Sequence, residues 1–92
     1  MAIRDRMTKD RAETIGLDGL AFLAADPERL EHFLVNSGLD AASLRRRATE
    51  RGVLRAVLDY LLTDDSLVTG FCEEQGIDAR EMHLATHQLE QP

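Results

Sequence analysis

Apolar residues recur along the whole chain at the three- and four-residue spacing that is typical of amphipathic helices. Alternation of apolar and polar residues, the pattern of a half-buried strand, nowhere extends beyond a few positions. The pattern therefore predicts an all-α fold, a compact bundle of five or six short helices. We expect residues 1–92 to form a single helical domain in which residues 1–7 and 90–92 are frayed.

The boundaries of the predicted helices are marked by residues that commonly begin or end helices. The expected N-caps, whose side-chain oxygens accept hydrogen bonds from the first turn, are Thr8, Asp26, Asp40, Thr49, Asp64 and Asp78. The first helix should extend to about Ala25, and the third should place Ala48 on its apolar side. Gly38 and Gly76 should end the second and fifth helices, each with a positive φ.

The fourth predicted helix has the densest set of apolar residues, namely Val53, Leu54, Val57, Leu58, Leu61 and Leu62. We therefore expect it to lie at the centre of the bundle. Gly16 and Gly19 interrupt the apolar stripe of the first helix, and each destabilises that helix by about 1 kcal/mol relative to alanine. Close approach of another helix would offset this cost, but sequence drift explains the two glycines equally well.

The chain resembles itself at an offset of 38 residues. Seven of the 25 positions in residues 20–44 are identical to their counterparts in residues 58–82, among them the pairs Phe33/Phe71 and Gly38/Gly76. Helical hairpins need similar caps in any case, so shared capping residues are one explanation. The other is two related halves about a pseudo-two-fold axis, which requires the same helix boundaries and the same crossing angles in both segments.

Composition and charge narrow the classes of function. The net charge of −6 argues against a general binder of nucleic acid or of anionic membranes. The longest apolar runs are about six residues, far below the ~20 that span a bilayer, so we expect no membrane partner. The first residues are charged and lack an apolar segment, which predicts no secretory signal, and the single cysteine, Cys72, favours the reducing cytoplasm.

Two segments resemble a known family, namely the strings AFLAADPERLEHFLVNSGLDAASLR and LRAVLDYLLTDDSLVTGFCEEQGID. Their most specific parts are DPE at 26–28, SGL at 37–39, and VLDYLL followed by Asp64-Asp65. Over roughly residues 8–89 the chain is similar to the small alphaproteobacterial helical proteins of domain-of-unknown-function family 3572. It departs from that family at Gly16 and Gly19, where alanine is more usual, and at Thr49-Glu50, which replaces an Asp-Pro-like cap. The resemblance implies an all-helical cytoplasmic protein and supplies no activity.

The side chains that could carry chemistry have simpler structural explanations. His83 and His87 are spaced to share a metal ion on one helix, but a third ligand is missing, and neither Cys72 nor His32 has suitable spacing. Cys72 lies beside Phe71 on an inward stripe and is followed by two glutamates, which disfavours a reactive thiolate. We therefore predict no catalytic residue, no metal site and no cofactor.

Five arginines lie close together at the junction of the third and fourth predicted helices. This arginine cluster consists of Arg45, Arg46, Arg47, Arg51 and Arg55, and it gives residues 44–55 a local charge of +4, because Glu50 is the one acidic residue there. We expect Arg47, Arg51 and Arg55 to share an exposed face, with Asp59 one turn after Arg55. A solvated surface that pairs with acidic neighbours explains the cluster; the alternatives are docking of an acidic protein surface and, least favoured, binding of nucleic acid.

The sequence does not identify a function. The leading hypothesis is a non-catalytic cytoplasmic protein-interaction module that uses the arginine cluster. One alternative is an enzyme with unrecognised chemistry, for example at Asp64 and Asp65, although both carboxylates stand where caps belong. Another is a nucleic-acid accessory protein that binds weakly through residues 45–55. The oligomeric state is open.

Overall fold

The computed structural model describes residues 7–90, and every regular element in that range is an α-helix. The helices are α1 (Lys9–Ala24), α2 (Pro27–Ser37), α3 (Ala41–Arg47), α4 (Arg51–Leu62), α5 (Asp65–Gln75) and α6 (Ala79–Glu90). The predicted all-α fold is confirmed. Of the residues expected to fray, 1–6 and 91–92 lie outside the described residues, Met7 packs against the core, and Glu90 ends α6.

Five of the helices begin at the residues that the sequence indicated. Backbone N–H groups of the first turns of α1, α2, α3, α5 and α6 donate to the side chains of Thr8, Asp26, Asp40, Asp64 and Asp78. The N–H of Ser43 donates a 2.7 Å bond to Oδ1 of Asp40, and this bond lowers the pKa of the Asp40 carboxyl. These caps are local, so residue type alone was enough to predict them.

The beginning of α4 differs, and the prediction of Thr49 as its cap is wrong. Thr49 lies in a turn, and the N-cap is Glu50, whose side chain bonds no backbone N–H group of the first turn. The Glu50 carboxylate instead accepts a 2.9 Å hydrogen bond from Nε of Arg47. Ala48 is the C-cap of α3 and not part of its apolar side, which corrects the second expectation for this junction.

The predicted glycine ends of α2 and α5 are confirmed. Gly38 has φ 79° and Gly76 has φ 69°, both in the left-handed region. Their N–H groups donate to the carbonyl oxygens of Leu34 and Cys72, in the last turns of the two helices. Glycine adopts this conformation without the steric cost that a Cβ imposes.

Replacement of Gly38 or Gly76 by alanine should lower the free energy of unfolding by about 1 kcal/mol. No atom lies within 4 Å of either Cβ position, so the expected loss comes from the backbone conformation alone. Urea unfolding followed by circular dichroism measures it. Gly52→Ala is the matched control, because Gly52 also faces open space but lies within α4, where alanine should be stabilising. Wild-type stability of both the Gly38 and the Gly76 variant would contradict the prediction.

The core is built around α1, α4 and α6, which pack against one another. α2 packs mainly on α1, and α5 packs mainly on α4. The predicted central position of α4 is confirmed, since it contributes five buried residues, Val53, Leu54, Val57, Leu58 and Leu61. These apolar residues are joined in one contiguous cluster by buried residues from every other helix.

α1 and α4 approach each other closely where α1 carries its two glycines. A Cβ on Gly16 would stand 2.8 Å from Cβ of Leu54, and a Cβ on Gly19 would stand 3.1 Å from Cγ1 of Val57. Close helix packing therefore explains both glycines. Gly16 and Leu54 are counterparts under the 38-residue offset, as are Gly19 and Val57.

The helix bounds of the two halves correspond. Shifted by 38 residues, α2 coincides with α5 at both ends, the last residue of α1 coincides with that of α4, and the first residue of α3 coincides with that of α6. The predicted agreement of helix boundaries between residues 20–44 and 58–82 is confirmed, and the predicted agreement of crossing angles stays a prediction.

The aromatic contacts between the halves correspond as well. Phe22 of α1 meets Phe71 of α5 edge to face, with ring centroids 5.5 Å apart and an interplanar angle of 64°. Their counterparts, Tyr60 of α4 and Phe33 of α2, meet at 5.5 Å and 66°. Each half therefore packs an aromatic ring against the other half in nearly the same geometry.

The third helix of each half breaks this correspondence. α6 has 12 residues and packs against both α1 and α4, burying Met82, Ala85, Thr86 and Leu89. α3 has 7 residues and buries Leu44 alone. Within residues 7–90, α3 packs extensively against no other helix. The two halves thus share two helices in full and differ in the role of the third.

Candidate interaction surface

The arginine cluster occupies the last turn of α3 and the first two turns of α4. Arg45, Arg46 and Arg47 are the last residues of α3 and are exposed. Their positive charges lie at the negative end of the helix dipole, which stabilises this short helix. Arg51 begins α4 and is half-buried, so it is less exposed than predicted. Arg55 is exposed, as predicted.

Carboxylates neutralise part of the cluster. Nε of Arg47 lies 2.9 Å from Oε1 of Glu50. Arg55 pairs with Asp59 at 3.5 Å and with Glu90 of α6 at 3.2 Å. The pair with Asp59 was predicted from its spacing, whereas only the packing of α6 against α4 brings Glu90 to Arg55. All these groups are about half exposed, so each pair contributes at most about 1 kcal/mol, and the local positive excess is smaller than the sequence suggests.

Arg45 and Arg46 carry most of the positive charge that is left. The Arg46 guanidinium donates a 3.4 Å hydrogen bond to the Ser43 hydroxyl, and in residues 7–90 neither arginine has a carboxylate within ion-pair distance. Because α3 packs extensively against no other helix in the described range, both guanidinium groups stand on an element with few tertiary contacts. They are the members of the cluster best placed to contact another molecule.

Two adjoining shallow depressions lie along α2 and α4. One has a volume of about 220 Å³ and is lined by Phe33, Asn36, Ser37, Ala56, Asp59, Tyr60 and Thr63. The other has a volume of about 300 Å³ and is lined by His32, Val35, Asn36 and Tyr60. Val35, at its edge, is 78% exposed. The apolar pattern did not indicate this feature, because Val35 follows the inward residues of α2 directly and only the fold shows that it faces solvent.

The Cys72 thiol is an unfavourable nucleophile. Its Sγ is half-buried and lies 3.6 Å from Sδ of Met82. Burial raises the pKa of the Cys72 thiol, and the negative charges of Asp78 and Glu81 raise it further. A thiol with a raised pKa is protonated at neutral pH and reacts slowly. These surroundings support the structural explanation of Cys72.

The candidate metal ligands and catalytic carboxylates either lie apart from one another or have a structural role. His83 and His87 are exposed, and Nδ1 of His87 lies 4.0 Å from Oε1 of Glu90. In the part of the chain that the structure describes, no group of three or more His, Cys, Asp or Glu residues is placed to hold a metal ion. Asp64 accepts bonds from the N–H groups of Ser66 and Leu67, so its role as a cap is confirmed.

Sequence reasoning also missed the contact between Arg29 and Phe22. The Arg29 guanidinium lies 4.4 Å from the centroid of the Phe22 ring and donates a 3.4 Å hydrogen bond to the Phe22 carbonyl oxygen. It also lies 3.8 Å from the Asp26 carboxylate. This half-buried cation covers the ring that meets Phe71, and its role is to hold α2 against α1. No spacing in the sequence signals such a contact.

The fold and surface define a class, a small all-α protein with a partly neutralised arginine cluster. No helix within residues 7–90 is both long and apolar enough to cross a membrane. The chain belongs to the family described as "Protein of unknown function (DUF3572)", whose model matches residues 9–92. The resemblance to that family is thereby confirmed. No curated protein and no solved structure matches the chain significantly.

Proposed function

We propose that this chain is a non-catalytic protein-interaction module that presents α3 and the arginine cluster to an acidic protein surface. The main observation behind this proposal is that α3 is exposed and has few contacts with the core. It is a 7-residue helix with one buried residue, it packs extensively against no other helix in the described range, and it ends in three consecutive exposed arginines. An element that adds little to the core and carries charge outward is suited to contact a partner.

The chemistry of arginine supports an acidic protein as that partner. The planar guanidinium group binds carboxylates in a bidentate manner and loses little entropy for each hydrogen bond that it forms. With a net charge of −6, the chain carries its positive cluster on an otherwise acidic body. Such a charge distribution orients an acidic surface toward the cluster and repels it elsewhere.

The proposal assigns the module to the cytoplasm. The single cysteine, Cys72, is a free thiol, and free thiols are typical of reducing compartments. The enzyme alternative gains no support from the described residues. The Cys72 thiol is packed against Met82 with a raised pKa, Asp64 caps α5, and the two depressions along α2 and α4 are shallow.

We also propose that the chain consists of two related halves. Two observations support this relation between the halves. The helix bounds match, and the aromatic pairs Phe22–Phe71 and Tyr60–Phe33 occupy equivalent positions in the two halves. Shared capping residues would produce similar helix ends, but they would not produce the same ring geometry between halves. The different third helices then reflect different roles, with α6 in the core and α3 at the surface.

Neutralisation of Arg45 and Arg46 tests the interaction module. The double variant Arg45→Gln with Arg46→Gln should fold normally and bind the acidic partner at least about tenfold more weakly, because two charge-assisted contacts are lost. The partner is first captured from the native cytosol, and its affinity for each variant is then measured at several salt concentrations. Arg80→Gln, an exposed arginine on α6, is the matched control and should bind like wild type.

The choice of substitution follows from the ion pairs. Reversal of Arg55 to glutamate would place a third carboxylate beside Asp59 and Glu90 and would disturb the fold as well as the surface. Glutamine at residues 45 and 46 avoids that effect. A partner that binds the double variant as tightly as wild type would remove the arginine cluster from the proposed function.

Binding to double-stranded DNA should stay within the ordinary non-specific range, roughly 10⁻⁴ to 10⁻⁶ M, with a shallow dependence on salt. Few phosphates can meet the cluster at once, because Arg47 and Arg55 already pair with carboxylates. Fluorescence anisotropy with a labelled duplex measures the affinity. Submicromolar binding at physiological salt would favour the nucleic-acid alternative over the acidic protein partner.

A further inference from the structure

We propose that two copies of this chain exchange their C-terminal halves through the α3–α4 junction and form a domain-swapped dimer. In this dimer residues 41–62 form one continuous helix. The first half of each copy then packs against α4, α5 and α6 of the other copy. The proposal concerns a second copy of the chain as partner, and it is independent of the acidic partner proposed above.

The junction between α3 and α4 has a backbone that readily becomes helical. Ala48 has φ −60° and ψ −24°, which is already helical. Glu50 has φ −72°, also helical, and its ψ of 138° must change for the helix to continue. Residues 41–51 contain neither glycine nor proline. α2 and α5, in contrast, end at glycines with positive φ, a conformation that stops a helix.

The beginning of α4 at this junction is poorly stabilised in the monomer. α4 starts without a side-chain cap, and its first residue, Arg51, places a positive charge at the positive end of the helix dipole. Both unfavourable features vanish when α3 and α4 are continuous, because residue 51 is then inside a helix. The ion pair between Arg47 and Glu50 has an i,i+3 spacing, which a continuous helix retains.

The contacts between the halves favour a second copy as the partner. α1 packs on α4 and α6, and the rings of Phe22 and Phe33 pack on Phe71 and Tyr60 of the other half. A second copy offers the same surfaces, so every one of these contacts forms again between chains. α3, which must move, has few contacts to lose. The cost of exchange is therefore confined to the junction and to the contacts of Leu44, the one buried residue of α3.

Hinge substitutions test the exchange in the full-length chain. Each variant is refolded from urea at high protein concentration, and light scattering coupled to gel filtration measures the dimer. Thr49→Ala raises helix propensity at both hinges of the dimer and should increase the dimerisation constant about fivefold to tenfold. Thr63→Ala, the same change at the α4–α5 turn, should leave it unchanged. An unchanged dimerisation constant for Thr49→Ala would overturn the proposal.

A second hinge variant should abolish the dimer. Glu50→Asp with Arg51→Pro copies the Asp26-Pro27 sequence that begins α2. Proline is favourable at the first position of a helix, and within a continuous helix it is disruptive. We expect a folded monomer with no measurable dimer. A dimer population equal to that of wild type would show that residues 41–62 need not become continuous, and the proposed exchange would then be wrong.

Complementary packing variants identify which halves meet. Gly16→Leu crowds Leu54, and Leu54→Gly leaves a cavity beside Gly16, so each variant alone should be destabilised. In a swapped dimer of the two variants, one lobe pairs the introduced leucine with the introduced glycine, and the other lobe has the wild-type residue at both positions. Co-refolding should therefore give a mixed dimer that melts at least 10 °C above either variant alone. If co-refolding gave only the two variants with their separate melting temperatures, the exchange would be contradicted. The hinge variants test the exchange independently of how well the leucine at residue 16 packs against the glycine at residue 54.

Discussion

Gly16→Leu should lower the free energy of unfolding by about 3 kcal/mol, the upper part of the range for overpacked cores. A Cβ at this position would stand 2.8 Å from Cβ of Leu54, a distance that real Cβ atoms essentially never show. The two helix backbones must therefore separate, and the buried contacts of α1 with α4 loosen. Urea unfolding followed by circular dichroism measures the loss.

Two further positions of the chain, Gly52 and Leu54, provide a control and a rescue for the Gly16→Leu variant. Gly52→Leu adds the same side chain on α4 where no atom lies within 4 Å, so its stability should stay near that of wild type. Leu54→Gly, placed in the Gly16→Leu background, removes the crowded Cβ and should recover about 2 kcal/mol relative to the sum of the single losses. Additive losses in this double-mutant cycle would show that Gly16 and Leu54 do not interact.

Phe33→Ala and Phe71→Ala should each lower the free energy of unfolding by about 3–5 kcal/mol. The two rings are 1% and 0% exposed, and each meets an aromatic ring of the other half edge to face. Such losses are large against the total stability of a chain of this size, and each should lower the melting temperature by roughly 15 °C or more. Thermal melting and urea unfolding both measure the effect.

Comparison of the Phe33 and Phe71 variants also tests whether the two halves of the chain pack equivalently. If the halves pack equivalently, the losses for Phe33 and Phe71 should agree within about 1 kcal/mol. Val35→Ala is the control, because Val35 is 78% exposed and should tolerate the change. If only one of the two variants lost stability, the two rings would be packed unequally in spite of their similar geometry.

The sequence by itself determined the helices and most of their ends. An Asp or Thr before a helix, or a glycine after it, acts through hydrogen bonds within a few residues, so Asp26 and Gly38 could be interpreted without any tertiary contact. The apolar density of α4 likewise predicted its central position. At Thr49 residue type misled: Glu50 is the N-cap of α4, its carboxylate pairs with Arg47, and the start of α4 has no side-chain cap.

The tertiary structure decided what the glycines and the arginines do. Gly16 is explained by Leu54, which is 38 residues away in sequence, and Arg55 is partly neutralised by Glu90, which only the packing of α6 brings near. Only the fold shows that α6 is in the core, whereas α3 buries Leu44 alone and packs extensively against no other helix within residues 7–90. Capping is a local interaction that residue type specifies, whereas the Gly16–Leu54 contact and the Arg55–Glu90 pair join distant residues, and they exist only once the helices have packed together.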